Sequence, residues 1–231
     1  LIITLFITFF IDSMLKESRI ERKFIVGTNN YEFFEKFLKF NCFRKTYENR
    51  EVSSIYFDTL NYDFLRANID GIGIRKKYRI RWYNNDYKNI FFEEKSKKNF
   101  LVSKKVSKIN FKLDKENFNK NLNNFLVSDK SLNSKDYNLQ IVLKTNYKRS
   151  YWLSNNRKIR ATIDKDLNTS PHLDLNKIVK LPEIILEFKY LPEHENYFRY
   201  FFKRFGSGLR VVKYSKYVKS FFELNNSGFV N

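Results

Sequence analysis

Segments in which apolar and polar residues alternate recur along the chain and predict β-strands. In "KKYRIRWY" (Lys76–Tyr83), a strand would direct Ile80 and Trp82 to one face and Arg79 and Arg81 to the other. Strand-like segments are predicted at residues 22–27, 51–59, 74–83, 89–97, 101–109, 139–152, 158–164 and 183–190. The chain is therefore expected to fold mainly as β-sheet.

Apolar residues at helical spacing are found in fewer places. In "NNYEFFEKFLKF" (29–40) they form one stripe of a predicted helix, with Asn29 or Asn30 as its N-cap. A short helix is predicted in 61–71, and further helices in 115–125 and in 194–205, the latter closed by Gly206 and Gly208. Eight or so strands with few helices predict an α+β domain built on an antiparallel sheet or barrel.

The chain has no obvious internal division. No linker or repeat separates parts of it, so residues 14–231 are expected to form one domain. Residues 1–13 are expected to be a non-native N-terminal extension, because Met14 is the only methionine. Their apolar run, "LIITLFITFFI", is shorter than the roughly 20 residues that span a bilayer.

The chain is strongly basic, with a formal net charge of +19 and a pI near 9.8. Such a charge attracts nucleic acid, lipid headgroups, nucleotides or polyphosphate. A composition rich in lysine can produce part of this net charge through surface lysines that have no function. The arginines within strands are therefore more informative about function. Cys42 is the only cysteine, which excludes an internal disulfide and suits a reducing compartment. Neither His172 nor His194 belongs to a metal-ligand spacing.

Six predicted strands carry charges on one face, and four of them carry both signs there. The carboxylates recur as Glu-x-Lys, as in "FFEEKSK" and "IILEFKY". One interpretation is a half-solvated sheet with its polar residues outward. The other is a closed barrel with a charged lumen, which is stable only when an anion fills it. Carboxylates among such cations would hold Mg²⁺ or Mn²⁺ together with phosphate.

An ordered set of motifs resembles a known family. The segments "IERKFIV", "VSSIYFDT", "YRIRWY", "FFEEKSKK", "NYKRSYW", "IRATIDKDL", "ILEFKY" and "KYSKY" resemble the motifs of the VTC domain. This is the polyphosphate polymerase domain of the triphosphate tunnel metalloenzyme superfamily, related to CYTH domains. The resemblance runs from about Met14 to about Phe222. It implies a closed antiparallel eight-stranded β-barrel with helices packed outside, which transfers the ATP γ-phosphate to a growing polyphosphate chain.

The resemblance also implies roles for individual residues. The phosphate-binding residues would be Lys23, Arg79, Arg81, Lys95, Lys105 (or its neighbour Lys104), Arg149, Arg160, Lys189, Lys213 and Lys216. Of these, Arg79, Arg81, Lys95, Arg149 and Arg160 would be catalytic. Glu187 would bind Mn²⁺ or Mg²⁺, with Glu21, Glu93 and Asp164 as helpers. ATP and polyphosphate would be the ligands. The chain is expected in the cytoplasm. If a separate membrane protein is its partner, that partner would hold the chain at the inner face of the membrane.

Other functions remain open from the sequence. Related hydrolases carry Glu-x-Glu-x-Lys on the first strand, whereas this chain has Arg19-x-Glu21-x-Lys23. The loss of one carboxylate favours the polymerase over a triphosphatase, which is the second hypothesis. A module that only binds polyphosphate or nucleotide is the third. Specific binding of nucleic acid ranks last, because it needs an exposed basic stripe with stacking aromatic residues.

Overall fold

The computed structural model has a strand at each of the eight predicted places, and several of these strands are longer than predicted. The structure describes residues 19–27, 31–98, 101–109, 121, 122, 124, 138–172, 174, 176–204 and 209–228. The strands are β1 (Ile20–Val26), β2 (Phe43–Thr59), β3 (Ile74–Tyr83), β4 (Ile90–Lys98), β5 (Leu101–Ile109), β6 (Leu139–Ser154), β7 (Ile159–Pro171), β8 (Val179–Leu181) and β9 (Ile184–Tyr190). The helices are α1 (Tyr31–Phe40), α2 (Asp63–Ile69), α3 (Glu195–Lys203) and α4 (Lys216–Asn226).

Three of the predicted helices are confirmed as α1, α2 and α3, whereas α4 was not predicted. In the predicted helix 115–125, residues 121, 122 and 124 are helical and the others lie outside the described residues. Asn29, Asn30, Gly206, Gly208 and the N-terminal extension 1–13 also lie outside them. None of the helices that the structure describes is long and apolar enough to cross a membrane.

The strands form one antiparallel sheet in the order β1-β9-β7-β6-β2-β3-β4-β5, with β8 paired to β7. The prediction of a closed barrel is wrong, because β1 and β5 are the two edges of this sheet in the described part of the chain. A side-chain contact joins the two sides instead: Lys95 Nζ of β4 lies 2.9 Å from Glu21 Oε2 of β1. An alternating pattern is the same in a curled open sheet and in a barrel, so it could not predict closure.

Helices α1 and α3 cover the apolar face of the sheet. Phe24 and Phe188 are fully buried, and the Phe188 ring lies 5.4 Å from the ring of Phe198 in α3. Phe34 and Leu38 of α1 belong to the same buried cluster. Because this apolar face packs against helices, the opposite, charged face of the strands lines the concave side of the sheet.

Asp58 connects α2 and α4 to the sheet. Its carboxylate accepts hydrogen bonds from the backbone N–H groups of Phe64 and Leu65 at 3.0 and 2.9 Å, and from the Tyr217 hydroxyl at 2.6 Å. Asp58 thus caps α2, whose N-cap residue Tyr62 provides no side-chain hydrogen bond. This buried link holds the start of α4, including Lys216, against the concave face.

Candidate active site

A cavity of about 460 Å³ lies on the concave face of the sheet. Its basic lining residues are Arg19, Lys23, Lys77, Arg79, Arg81, Lys95, Lys104, Arg149, Lys189 and Lys216, and its acidic ones are Glu21 and Glu187. A second cavity of about 290 Å³ shares Lys23, Lys77, Lys95 and Ser215 with the first. It adds Arg75, Lys97 and Lys213. The two cavities therefore form one basic channel.

Strand β3 provides the longest row of cations in this channel. Arg75, Lys77, Arg79 and Arg81 alternate with residues of the opposite face and so point to the same side. Arg75 lines the second cavity, Arg79 and Arg81 line the first, and Lys77 lines both. The row runs along the channel and is suited to successive phosphate groups.

Glu93 of β4 positions three cations at one point of the channel. Its carboxylate lies 2.6 Å from Arg79, 2.6 Å from Lys104 and 3.8 Å from Arg81. Burial opposes ionisation of Glu93, but the three cations outweigh it and hold its pKa well below the usual range. Glu93 does not line either cavity, so the structure places it behind the cations rather than at the predicted metal site.

Asp164 of β7 has the same role on the opposite side of the channel. Arg149 binds it through two hydrogen bonds of 2.5 and 2.7 Å, and Lys216 Nζ lies 2.5 Å from Oδ2. Burial raises the pKa of Asp164, but Arg149 and Lys216 outweigh it and lower the pKa to about 2. With both cations occupying its carboxylate, Asp164 fits a positioning role better than metal binding.

Tyrosine and serine hydroxyls complete the support of the arginines, and sequence reasoning missed them. Arg79 Nη1 donates to the Tyr56 hydroxyl at 3.4 Å. Arg81 donates to Ser54 Oγ at 3.1 Å and to the Tyr147 hydroxyl at 3.2 Å. These partners come from β2 and β6, so only the pairing of the strands could reveal them.

Glu187 and Glu21 are the carboxylates that line the cavity, and they fit a divalent cation carried by a phosphate ligand. Lys189 Nζ lies 3.6 Å from Glu187 and 3.3 Å from Glu21, so the two carboxylates are close together. Mg²⁺ commonly binds through one or two carboxylates plus substrate phosphates. No group of three or more acidic, histidine or cysteine side chains forms a metal cage within the described ranges. The predicted four-carboxylate set is thus reduced to Glu187 and Glu21.

Of the two predicted alternatives on β5, the structure places Lys104 and not Lys105 in the channel. Lys104 lines the first cavity and contacts Glu93, whereas Lys105 follows it on the opposite face of the strand and lines neither cavity. The choice of Lys105 from the sequence is corrected, because the alternation of β5 does not itself show which face is inward.

This pair of neighbours makes a matched test. Lys104→Ala is expected to weaken binding of tripolyphosphate by at least about tenfold, since a charge-assisted hydrogen bond contributes about 1.5–3 kcal/mol. Lys105→Ala is expected to leave it unchanged. Isothermal titration calorimetry without metal measures both. An equal loss in the two variants would mean that only overall charge matters.

Two other predicted phosphate-binding residues lie away from the main cavity. Arg160 is exposed at the end of β7 and does not line either cavity. Lys213 lines the second cavity and donates to the carbonyl of Ile69 at 3.5 Å. The structure therefore brings together Lys23, Arg79, Arg81, Lys95, Arg149, Lys189 and Lys216 at the main cavity. A direct role for Arg160 remains a prediction.

Lys77 is a channel residue that the motif comparison did not include. Its ammonium donates to Ser215 Oγ at 2.7 Å. Burial, and then the charges of Lys23, Lys95, Arg75 and Arg79, hold its pKa well below the ordinary value of lysine. The period-two spacing Arg75-x-Lys77-x-Arg79 was the signal that could have found it. A bound phosphate would relieve the repulsion between these cations.

The lowered pKa of Lys77 predicts a pH dependence of anion binding. Lys77 loses its proton at a lower pH than an ordinary lysine, so tripolyphosphate affinity is expected to fall as the pH rises through the range below that in which ordinary lysines titrate. Lys77→Arg keeps the charge over this range and is expected to bind more tightly than the wild type at the alkaline end. Protonation of tripolyphosphate affects both proteins equally, so it does not contribute to the difference between their calorimetric affinities. Parallel pH profiles would contradict the prediction.

The basic channel on the concave face of a curled antiparallel sheet defines a domain of the triphosphate tunnel class. The family model of the VTC domain matches residues 18–224, and the chain belongs to this family. No curated protein matches the chain.

Solved structures that are similar to this chain have low sequence identity to it. HpAC1 from Hippeastrum, an adenylyl cyclase candidate with a dominant triphosphatase activity, is 14% identical with a TM-score of 0.56. The match covers 92% of this chain and 97% of that one. The Mimivirus capping enzyme triphosphatase is 13% identical with a TM-score of 0.42, over 84% of this chain and 94% of that one.

Proposed function

We propose that the protein is a metal-dependent phosphotransferase that moves the ATP γ-phosphoryl group onto the end of a polyphosphate chain held in the channel, with ADP as the leaving group. The observation that carries this proposal is the length of the basic row on β3. From Arg75 to Arg81 the strand rises about 20 Å, at about 3.3 Å per residue. A row of this length exceeds the triphosphate of one nucleotide, which supports a polymeric ligand.

The charges of the channel support phosphoryl transfer. The transition state spreads negative charge over the oxygens of the transferred group, so catalysis rests on positioned cations and a metal. Arg79 and Arg81 are held by Glu93, and Arg149 by Asp164, before any substrate binds. These arginines would bind and orient the phosphates. No serine, cysteine or histidine nucleophile is required.

Glu187 and Glu21 would hold Mg²⁺ or Mn²⁺ together with phosphate oxygens. The metal would neutralise charge on the transferred group. Lys23, Lys95 and Lys189, which contact these carboxylates in the structure, would turn to the phosphates. The chain's own residues would thus exchange internal ion pairs for contacts with the ligand.

Hydrolysis of tripolyphosphate in the same channel is the second candidate. The triphosphatase activity of HpAC1, which has the same fold, favours it. Against it, the position two residues before Glu21 is Arg19, a cation that lines the cavity, where the related hydrolases have a carboxylate. We therefore rank transfer above hydrolysis.

The test incubates the protein with γ-labelled ATP and Mn²⁺ and separates the products by size. Transfer predicts label in a long, acid-labile polymer. Label found only in inorganic phosphate would establish the hydrolase instead. Absence of turnover with retained binding of polyphosphate would indicate a binding module. A separate membrane protein as partner stays a prediction.

A further inference from the structure

A cluster of three tyrosines and one arginine lies at the end of the channel opposite Arg75. Tyr83 and Tyr151 line the main cavity, and Tyr47 and Arg50 lie beside them. The guanidinium of Arg50 lies 4.7 Å from the ring centroid of Tyr47, 5.7 Å from that of Tyr151 and 5.9 Å from that of Tyr83. The Tyr47 and Tyr151 rings are 5.6 Å apart and nearly perpendicular.

A β-bulge builds this cluster. Residues 47 and 50 would point to opposite faces of a regular strand. In β2, Tyr47 is paired with Tyr151 and Arg50 with Arg149, with a register shift between them. The extra residue directs both side chains to the channel face. Bulges are frequent next to functional sites, where they re-aim side chains.

The cluster has an open aromatic surface that its own contacts do not use. Tyr47 is 56% exposed, although it is a large ring at the mouth of a cavity. Arg50 has no ion pair with a carboxylate among the residues that the structure describes. Its positive charge therefore lies against aromatic rings, as in sites that stack planar ligands.

The cluster is continuous with the phosphate-binding cations. The guanidinium of Arg149, which lines the main cavity, lies 6.0 Å from the ring centroid of Tyr151, and the guanidinium of Arg50 lies 5.7 Å from the same centroid. A nucleotide whose phosphates contact Arg149 would thus bring its base within reach of Tyr47. Polyphosphate alone has no group that could use this surface.

We infer that Tyr47, supported by Arg50, is a stacking platform for the base of the nucleoside triphosphate, so that nucleotides are bound at this end of the channel. The inference rests on the proposed function for the position of the phosphates. Stacking uses the π-face that every base has, so the platform would distinguish nucleotides from inorganic polyphosphate but not ATP from GTP.

The experiment measures the affinities of ATP, GTP and tripolyphosphate for the full chain by calorimetry without metal. Tyr47→Ala is expected to weaken both nucleotides by about tenfold and to leave tripolyphosphate unchanged. Tyr47→Phe, which keeps the ring, is expected to behave as the wild type. Tyr200→Ala is the matched control, because Tyr200 of α3 is also exposed and its ring centroid lies 5.4 Å from the guanidinium of Arg204.

The outcomes separate the platform from the proposed function. If the ratio of ATP affinity to tripolyphosphate affinity is the same in Tyr47→Ala as in the wild type, the platform is overturned. This holds whether both affinities fall or neither does. Retained tripolyphosphate binding shows that this variant is folded. A wild type that binds ATP but not tripolyphosphate would overturn the polyphosphate function, and the loss of ATP binding in Tyr47→Ala would still support the platform. A wild type that binds neither ligand overturns both.

Discussion

Glu187→Gln is expected to lower phosphate transfer by about a hundredfold or more while tripolyphosphate binding without metal becomes tighter. A metal that neutralises the transferred group contributes several kcal/mol to the transition state. Burial disfavours the charge of Glu187, but Lys189, Lys23, Arg149 and Lys95 outweigh it and hold its pKa well below the usual range. The carboxylate is therefore charged, and it repels phosphate unless a cation lies between them.

The opposite signs of the two effects make this test specific. Turnover is measured with γ-labelled ATP and Mn²⁺, and affinity by calorimetry in the presence of a chelator. Glu193→Gln is the control, because the Glu193 side chain is 70% exposed outside the channel. A variant that loses binding and turnover together would show that Glu187 maintains the fold of the channel rather than holding a metal.

Asp164→Asn is expected to lower the free energy of unfolding by about 3–5 kcal/mol, because it leaves Arg149 and Lys216 buried without their carboxylate. In a domain of this size the melting temperature should fall by about 10 °C. Tripolyphosphate is expected to restore much of the loss, since its oxygens can replace the carboxylate. Thermal unfolding with and without tripolyphosphate measures both effects.

A control lies two residues further along β7. Asp166 pairs with Lys148 at 3.3 Å, but its side chain is 54% exposed, so Asp166→Asn should change stability little. Equal melting temperatures of the Asp164 variant and the wild type would contradict the buried-pair interpretation.

The pH dependence of stability has a defined sign at Asp164. Its pKa is lowered to about 2 in the folded state, against about 3.9 in the unfolded chain. The stabilisation is therefore complete above about pH 4 and is lost as the pH falls toward 2. The Asn variant should lack this part of the acid dependence.

Much of the fold follows from local patterns in the sequence. The alternation in 74–83 predicted β3 and the common face of Arg79 and Arg81, and the structure has both. The predicted strand 51–59, in contrast, begins at Phe43 in β2, because the polar segment 44–50 has no alternation that would indicate a strand. In the segment that forms α4, apolar residues occur at both helical and strand spacing, so the sequence gave no clear prediction there.

The residues of the candidate site could also be predicted only in part from the sequence. The motifs pointed to Glu187, Lys95 and Arg149, and all of them line the main cavity. They did not distinguish Lys104 from Lys105. They also did not separate Glu93 and Asp164, which support cations, from the carboxylates that face the cavity.

What the sequence determined by itself is the set of charged strand faces, since a period of two depends only on the backbone of each strand. Only the tertiary structure decided which strands are neighbours, that β1 and β5 are the edges of the sheet in the described part of the chain, and which carboxylate is used by which cation. It also decided that Tyr47 and Arg50 share a face. These features depend on register and on one bulge, and a shift of one residue moves every side chain to the other face.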